Sequence, residues 1–145
     1  MPRNFKPPKR HWQHFEHGAD VGIRGHGATL EAAFEEAARA LAAIVVDPDT
    51  VSPAVAVPMA CTAPNDEILL IDWLNAVVYE MAARNMAFST FEVHINDCRL
   101  TGTAHGERVD PSRHETGVEV KGATFTALKV ARDGDGWIAQ CVVDV

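Results

Sequence analysis

Three kinds of residue in this sequence could do chemistry: carboxylates near its two ends, a run of histidines, and glycines ahead of the first helical pattern. Asp144 is the penultimate residue and Val145 the last of 145, so a side-chain carboxylate, an α-carboxylate and the intervening carbonyls crowd the end of one strand. Two adjacent anions need a counter-charge. If the corner at Gly18-Ala19-Asp20 packs beside that end, Asp20 adds a third oxygen donor, and hard cations such as Ca²⁺ or Mg²⁺ take all-oxygen shells. Asp20, Asp144 and Val145 are therefore the candidate metal ligands, although exposed terminal acids are ordinarily just solvated.

The other constellations carry less. His11, His14 and His17 recur every third residue, but on a strand residues three apart point to opposite faces. His11 and His17 share a side and stand roughly 20 Å apart in an extended chain, too far to hold one ion. Gly22, Gly25 and Gly27 have neither the GxGxxG spacing of a dinucleotide loop nor the Lys-Ser/Thr of a P-loop, and read as glycines that allow a tight strand end. Ser52, Ser89 and Ser112 are the only serines, and none lies in GxSxG. Cys61, Cys98 and Cys141 form no CxxC pair and read as buried small hydrophobes in a reducing compartment.

The length suits one domain. With 47% hydrophobic and 23% charged residues the chain is ordinary for a globular protein. No apolar run approaches the roughly 20 residues of a membrane span, and the polar, Pro-rich start has no signal-peptide core. The expected address is the cytoplasm. The net charge of −7 disfavours strong direct binding to nucleic acid. Arg3, Lys6, Lys9 and Arg10 make residues 1–10 a basic arm, expected to be mobile, and leave a clearly acidic domain over residues 11–145.

The elements that must position these groups follow from pattern and punctuation. Residues 12–27 read as two short strands around the Gly18-Ala19-Asp20 corner. Thr29 caps a helix over 30–46, with Leu30, Phe34, Ala37, Leu41, Ile44 and Val45 on its apolar stripe, ended by Asp47-Pro48. Val51, Val55, Val57 and Met59 share one parity, and Pro53 and Pro58 make that strand an edge. Asn65 caps a second helix, with Asp66 and Glu67 at the positive end of its dipole. A hairpin follows over 88–107, turning at Asn96-Asp97, then a loop over 108–117. Val118 to Ala131 alternates, and with the run from Trp137 to Val145 it reads as a terminal hairpin. Strands that mostly follow one another without crossover helices predict a single α+β domain, a largely antiparallel sheet packed with two main helices.

Several motifs in order resemble the archease family. His17-Gly18-Ala19-Asp20-Val21 resembles its H-T-A-D-I/V signature, and Gly27 to Phe34 its G-x-T-L-E-E-A-F stretch. Ile68 to Asn75 looks like its second-helix motif, Ala104-His105-Gly106-Glu107 its G-W/H-G-E element, and His114 to Lys121 its H-x-x-G-x-E-V-K run. The ending Val143-Asp144-Val145 also matches. The resemblance spans residues ~14–145, and ordered motifs at family spacing are far more specific than one alone.

The resemblance implies a non-catalytic protein cofactor of an RtcB-type RNA ligase, promoting GTP-dependent guanylylation and multiple turnover in tRNA splicing or RNA repair. It also implies a divalent cation, calcium with magnesium or manganese as alternatives, held by Asp20, Asp144 and Val145. Lys121 matches the motif lysine and is the expected contact to nucleotide phosphate or a ligase carboxylate. Glu107 and His114 are expected to brace a turn. Two other functions fit less well: a chaperone of another RNA-processing enzyme such as a tRNA methyltransferase, and a small metal-dependent hydrolase, for which no general base is evident. The chain departs from the family pattern in two places. Gly18 stands for the usual threonine, and Gly122-Ala123-Thr124-Phe125 for A-I/V-T-Y.

Overall fold

Apolar residues at helical spacing build helix α1 (Leu30–Val45) in the computed structural model, which describes residues 10–145. The Thr29 hydroxyl accepts from the Ala32 amide at 3.0 Å, satisfying one of the four amides that a helix start leaves unpaired. Chain order is β1 (His11–His17), β2 (Asp20–Gly27), α1, a 3-10 turn (Pro48–Thr50), β3 (Val55–Thr62), α2 (Asp66–Arg84), β4 (Met86–Asn96), β5 (Arg99–Arg108), β6 (Gly122–Ala123), β7 (Lys129–Asp133) and β8 (Gly136–Asp144). The α+β class with antiparallel sheets and two helices is as expected. The sheet residues divide into two sheets, β1-β2-β8 with β6 and β7 on the free flank of β8, and β3-β5-β4. All these pairings are antiparallel.

Helix α1 is buried on more than one face. It packs against β2 and β8 on one side and β4 on the other, and Ala33, Ala37, Ala38, Ala40 and Ala42 are all buried. Small residues allow that close approach. A Cβ on Gly25 would lie 2.3 Å from the Ala33 carbonyl oxygen and the Ala37 amide nitrogen, and one on Gly27 2.5 Å from the Ala32 side chain, so these two glycines seat the helix, while Gly22 makes room for the Phe15 ring of β1. Glu36, on the same helix, is fully buried, and its carboxylate accepts from Arg10 at 3.0 Å and Arg39 at 3.2 Å. A buried carboxylate without such donors would be costly. The neighbouring Glu35 accepts from the Val93 amide at 2.8 Å, covering part of the β4 edge.

Helix α2 is capped by Asn65, whose side chain accepts from the Ile68 amide at 2.9 Å, and closes at Asn85 with φ 51°. Its Trp73 donates from Nε1 to the Phe34 carbonyl at 3.1 Å and meets Phe91 edge-on at 5.9 Å, joining both helices to the second sheet. Among the described residues no helix is long and apolar enough to cross a membrane.

Four local expectations are corrected. The alternating stretch 118–131 is not one strand: only Gly122–Ala123 and Lys129–Asp133 pair, because the Val118 amide is spent on the Ile44 carbonyl and a turn from Phe125 to Leu128, with Ala127 at φ 54°, breaks the extended run. The first hairpin turns on Asp97 and Cys98, both at positive φ (52° and 59°), and not on Asn96-Asp97. The edge strand runs from Val55 to Thr62, while Val51 ends the 3-10 turn and packs with Val46 and Ala87. Of the cysteines only Cys141 is fully buried; Cys61 and Cys98 are half-buried, and all three are free. The basic arm falls on residues 1–9, outside the described residues, and on Arg10, which pairs with Glu35 and Glu36.

Replacing Gly25 with alanine must push backbone against backbone, so Gly25→Ala is expected to lose about 1–3 kcal/mol or more in urea denaturation. A Cβ on Gly134 meets nothing within 4 Å but sits at φ 58°, so Gly134→Ala costs about 1 kcal/mol.

Candidate functional site

The corner between β1 and β2 exists because Gly18 takes φ 62° with open space around it, the left-handed region where glycine is unstrained. That two-residue turn starts β2 at Asp20, opposite His17. Strand β2 then runs antiparallel to β8, pairing Val21 with Val143. Asp20 therefore meets the last residues of the sequence. The Val145 amide donates to Asp20 Oδ1 at 3.4 Å. Asp144 is exposed and Asp20 half-buried, and among the described residues neither carboxylate forms an ion pair within 4.0 Å.

The other flank of β8 is held by a strap, residues 117–124. The Lys121 amide donates to the Asp144 carbonyl at 2.8 Å, and the Thr124 amide and hydroxyl both donate to the Val142 carbonyl, at 3.0 and 2.8 Å. Lys121 is exposed, with its backbone bonded to that of the candidate ligand Asp144. Sequence reasoning missed Asn75 of α2, whose side-chain oxygen accepts from the Ala123 amide at 2.9 Å. The signal was present: Asn75 closes the second-helix motif and lies off the apolar stripe. Phe125, beyond the strap, is 68% exposed.

The groups at this end that could hold a cation are oxygen donors, the carboxylates of Asp20 and Asp144 and the main chain of Val145, the donor type that hard divalent ions take. Among the described residues no three His, Cys, Asp or Glu side chains are grouped as a metal ion would need. Burial pushes the Cys141 thiol up to about 12 and the Cys61 thiol up to about 11. The histidines of β1 are likewise apart: His14 bonds to the Ala40 carbonyl at 2.6 Å, and His11 stacks on His26 with ring centres 4.2 Å apart.

Glu107 and His114 form a separate cluster that braces the loop ahead of the strap. His114 is buried; its Nδ1 accepts from the Asp110 amide at 2.9 Å, which leaves the ring proton on Nε2, 3.3 Å from Glu107. Glu107 also accepts from Arg113 and from the Ser52 amide. Hydrogen bonds from Arg113 and then Ser52 bring its pKa down to about 2.

The chain and its fold have relatives. A model of the Archease protein family matches residues 12–145. The chain is 38% identical over 141 residues to Protein archease of Pyrococcus furiosus, covering 94% of this chain and 99% of that one. To Protein archease of Methanopyrus kandleri it is 36% identical over 138 residues, with 92% and 99% covered. The solution structure of Methanobacterium thermoautotrophicum protein 1598 is similar with a TM-score of 0.81 at 31% identity, over 92% of this chain and 98% of that one. A crystal structure of "an archease, possible chaperone" from Thermotoga maritima shares the fold, with a TM-score of 0.62 at 22% identity over the whole of both chains.

Because the folded Glu107 pKa lies below its ordinary 4.5, the carboxylate stabilises the fold above that value and the contribution is lost as pH falls from about 4.5 toward 2. Urea melts at stepped pH should show a steeper decline for the parent protein than for Glu107→Gln across that window. Parallel declines would separate Glu107 from the acid limb.

Proposed function

The chain belongs to the archease family, and from that membership we propose that it is a cytoplasmic, non-catalytic protein cofactor that activates an RtcB-type RNA ligase in tRNA splicing or RNA repair. The observation that carries this reading is the hydrogen bond from the Val145 amide to the Asp20 carboxylate, 3.4 Å long, at the end of the first sheet where β8 closes on the exposed Asp144. That end would hold calcium, or magnesium or manganese, through the oxygens of those three residues. When bound, the ion places a concentrated positive charge at the tip of the molecule.

The protein's own residues supply the rest. Asp20 is aimed by the Gly18 turn and by the Val145 amide, while Asp144 stands at the open end of β8. Lys121, tied through its backbone to Asp144, offers an ammonium to an anionic group such as a nucleotide phosphate or a ligase carboxylate. The domain is acidic, so the partner it suits is a protein with a cationic nucleotide site, approached without competing for the RNA backbone. The family resemblance leaves a second reading, in which the same end serves as a chaperone contact to another RNA-processing enzyme, such as a tRNA methyltransferase.

Guanylylation of the cognate ligase with GTP and Mn²⁺ tests the proposal. The parent protein should raise the guanylylated fraction and restore turnover. Asp20→Ala and Asp144→Ala should each lose at least about tenfold of that stimulation, while melting within a few degrees of the parent. A chain ending at Val143 that still supports multiple turnover would sink the mechanism. Capture of a methyltransferase in place of the ligase would favour the second reading.

A further inference from the structure

We propose that Asn75 is a positioning residue for the cation-holding end, acting through the strap and not by touching the ion; the inference rests on the proposed site at Asp20, Asp144 and Val145. Strand β8 is held along its first seven pairs by β2 from Gly27 to Val21. Past Val143 that pairing stops, and among the described residues the only ladder beside Asp144 is β6, two residues long, which pairs Gly122 with Asp144 and Ala123 with Val143. So short a strand has little stability of its own.

What fixes it comes from α2. The Asn75 side-chain oxygen accepts from the Ala123 amide at 2.9 Å, and Gly122 packs so near that an added Cβ would lie 3.3 Å from the same oxygen. The Ala123 amide is thus engaged by the helix, while its neighbours Lys121 and Thr124 donate toward β8. The strap is tied on both sides at once. Because the Lys121 amide bonds to the Asp144 carbonyl at 2.8 Å, fixing the strap fixes the main chain of Asp144 and the root of the Lys121 side chain together. Asn75 thereby couples a rigid helix to the two side chains proposed to act at the tip. An acceptor oxygen is what the position requires: alanine removes it, and aspartate keeps it.

Calcium binding alone, by isothermal titration of the full chain, and amide hydrogen exchange by NMR test this directly. Asn75→Ala should weaken Ca²⁺ about three- to tenfold, below the range for groups bonded directly to metal ligands, and should speed exchange at Lys121 and Ala123 while the core of α1 and β2 stays protected. Asn75→Asp should restore both. Unchanged affinity in Asn75→Ala, with parent binding abolished by Asp20→Ala, overturns the role of Asn75 and leaves the metal site standing. Exchange raised throughout the protein, or Asn75→Asp behaving as the alanine variant does, also overturns it in favour of a merely structural contact. A parent protein that takes up no Ca²⁺, Mg²⁺ or Mn²⁺ removes the site, and the inference with it.

Discussion

Strand β8 is the constraint on which the rest of the molecule depends. It is bonded on one flank to β2 and on the other to β6 and β7, so its course is fixed from Gly136 onward. The partner strand β2 begins at Asp20, directly after the Gly18 turn. Antiparallel pairing makes the start of one the neighbour of the end of the other. An acid at the first turn and an acid at the last strand end are thereby brought together across 124 positions of sequence. No long-range recognition between the two carboxylates is needed, since the ladder between them does the placing and their mutual repulsion has only to be smaller than the ladder's worth.

That ladder needs a helix beneath it. Helix α1 lies between the two sheets, and its burial on several faces explains why it is built from alanine where an ordinary amphipathic helix carries leucine and lysine. Gly25 seats it against β2. Its C-terminal end has no glycine cap; instead the amides of Gly117 and Val118 donate to the carbonyls of Val45 and Ile44, at 2.7 and 3.3 Å. Orphan carbonyls at a helix end are normally satisfied by such donors. Gly117 allows the approach, since a Cβ there would stand 2.4 Å from the Ile44 oxygen.

Much of this was readable in the residues. Thr29 and Asn65 marked both helix starts because capping is a local property, written within three residues. The Asn96-Asp97 corner marked the hairpin of β4 and β5, although the turn sits one residue later than its composition suggests. The strap was not readable. Val118 and Val120 alternate with polar neighbours as a strand would, but Val118 is exposed and only Val120 is buried, in the main core and outside any ladder, and a period of two cannot foretell that. The burial of Glu36 was hidden for a similar reason: a glutamate in a helix looks solvated until Arg10 and Arg39 are seen to close on it. At the site, pattern placed Asp20 and the terminal residues in contention and the resemblance placed Lys121; Asn75 stood out only as a polar residue off the apolar stripe of α2, and its partner, the Ala123 amide, shows once α2 and β6 are side by side.

The two polar clusters then have one mechanical relation. Glu107 and His114 hold the loop that leaves β5, with the Val109 amide donating to the Asn85 carbonyl at the end of α2. The loop delivers Gly117 and Val118 to the end of α1, and from there the strap passes along α2 to Asn75 and Asp144. The anchors are hydrogen bonds to α1, to two separate points on α2 and to β8, so loosening one leaves the others to limit the excursion. The exposed end of β8 therefore inherits its order from both helices, even though neither contributes an oxygen to the candidate cation site. A tip built this way can present charged groups to a partner with little ordering left to do on binding, which is where affinity at a small polar contact is usually lost.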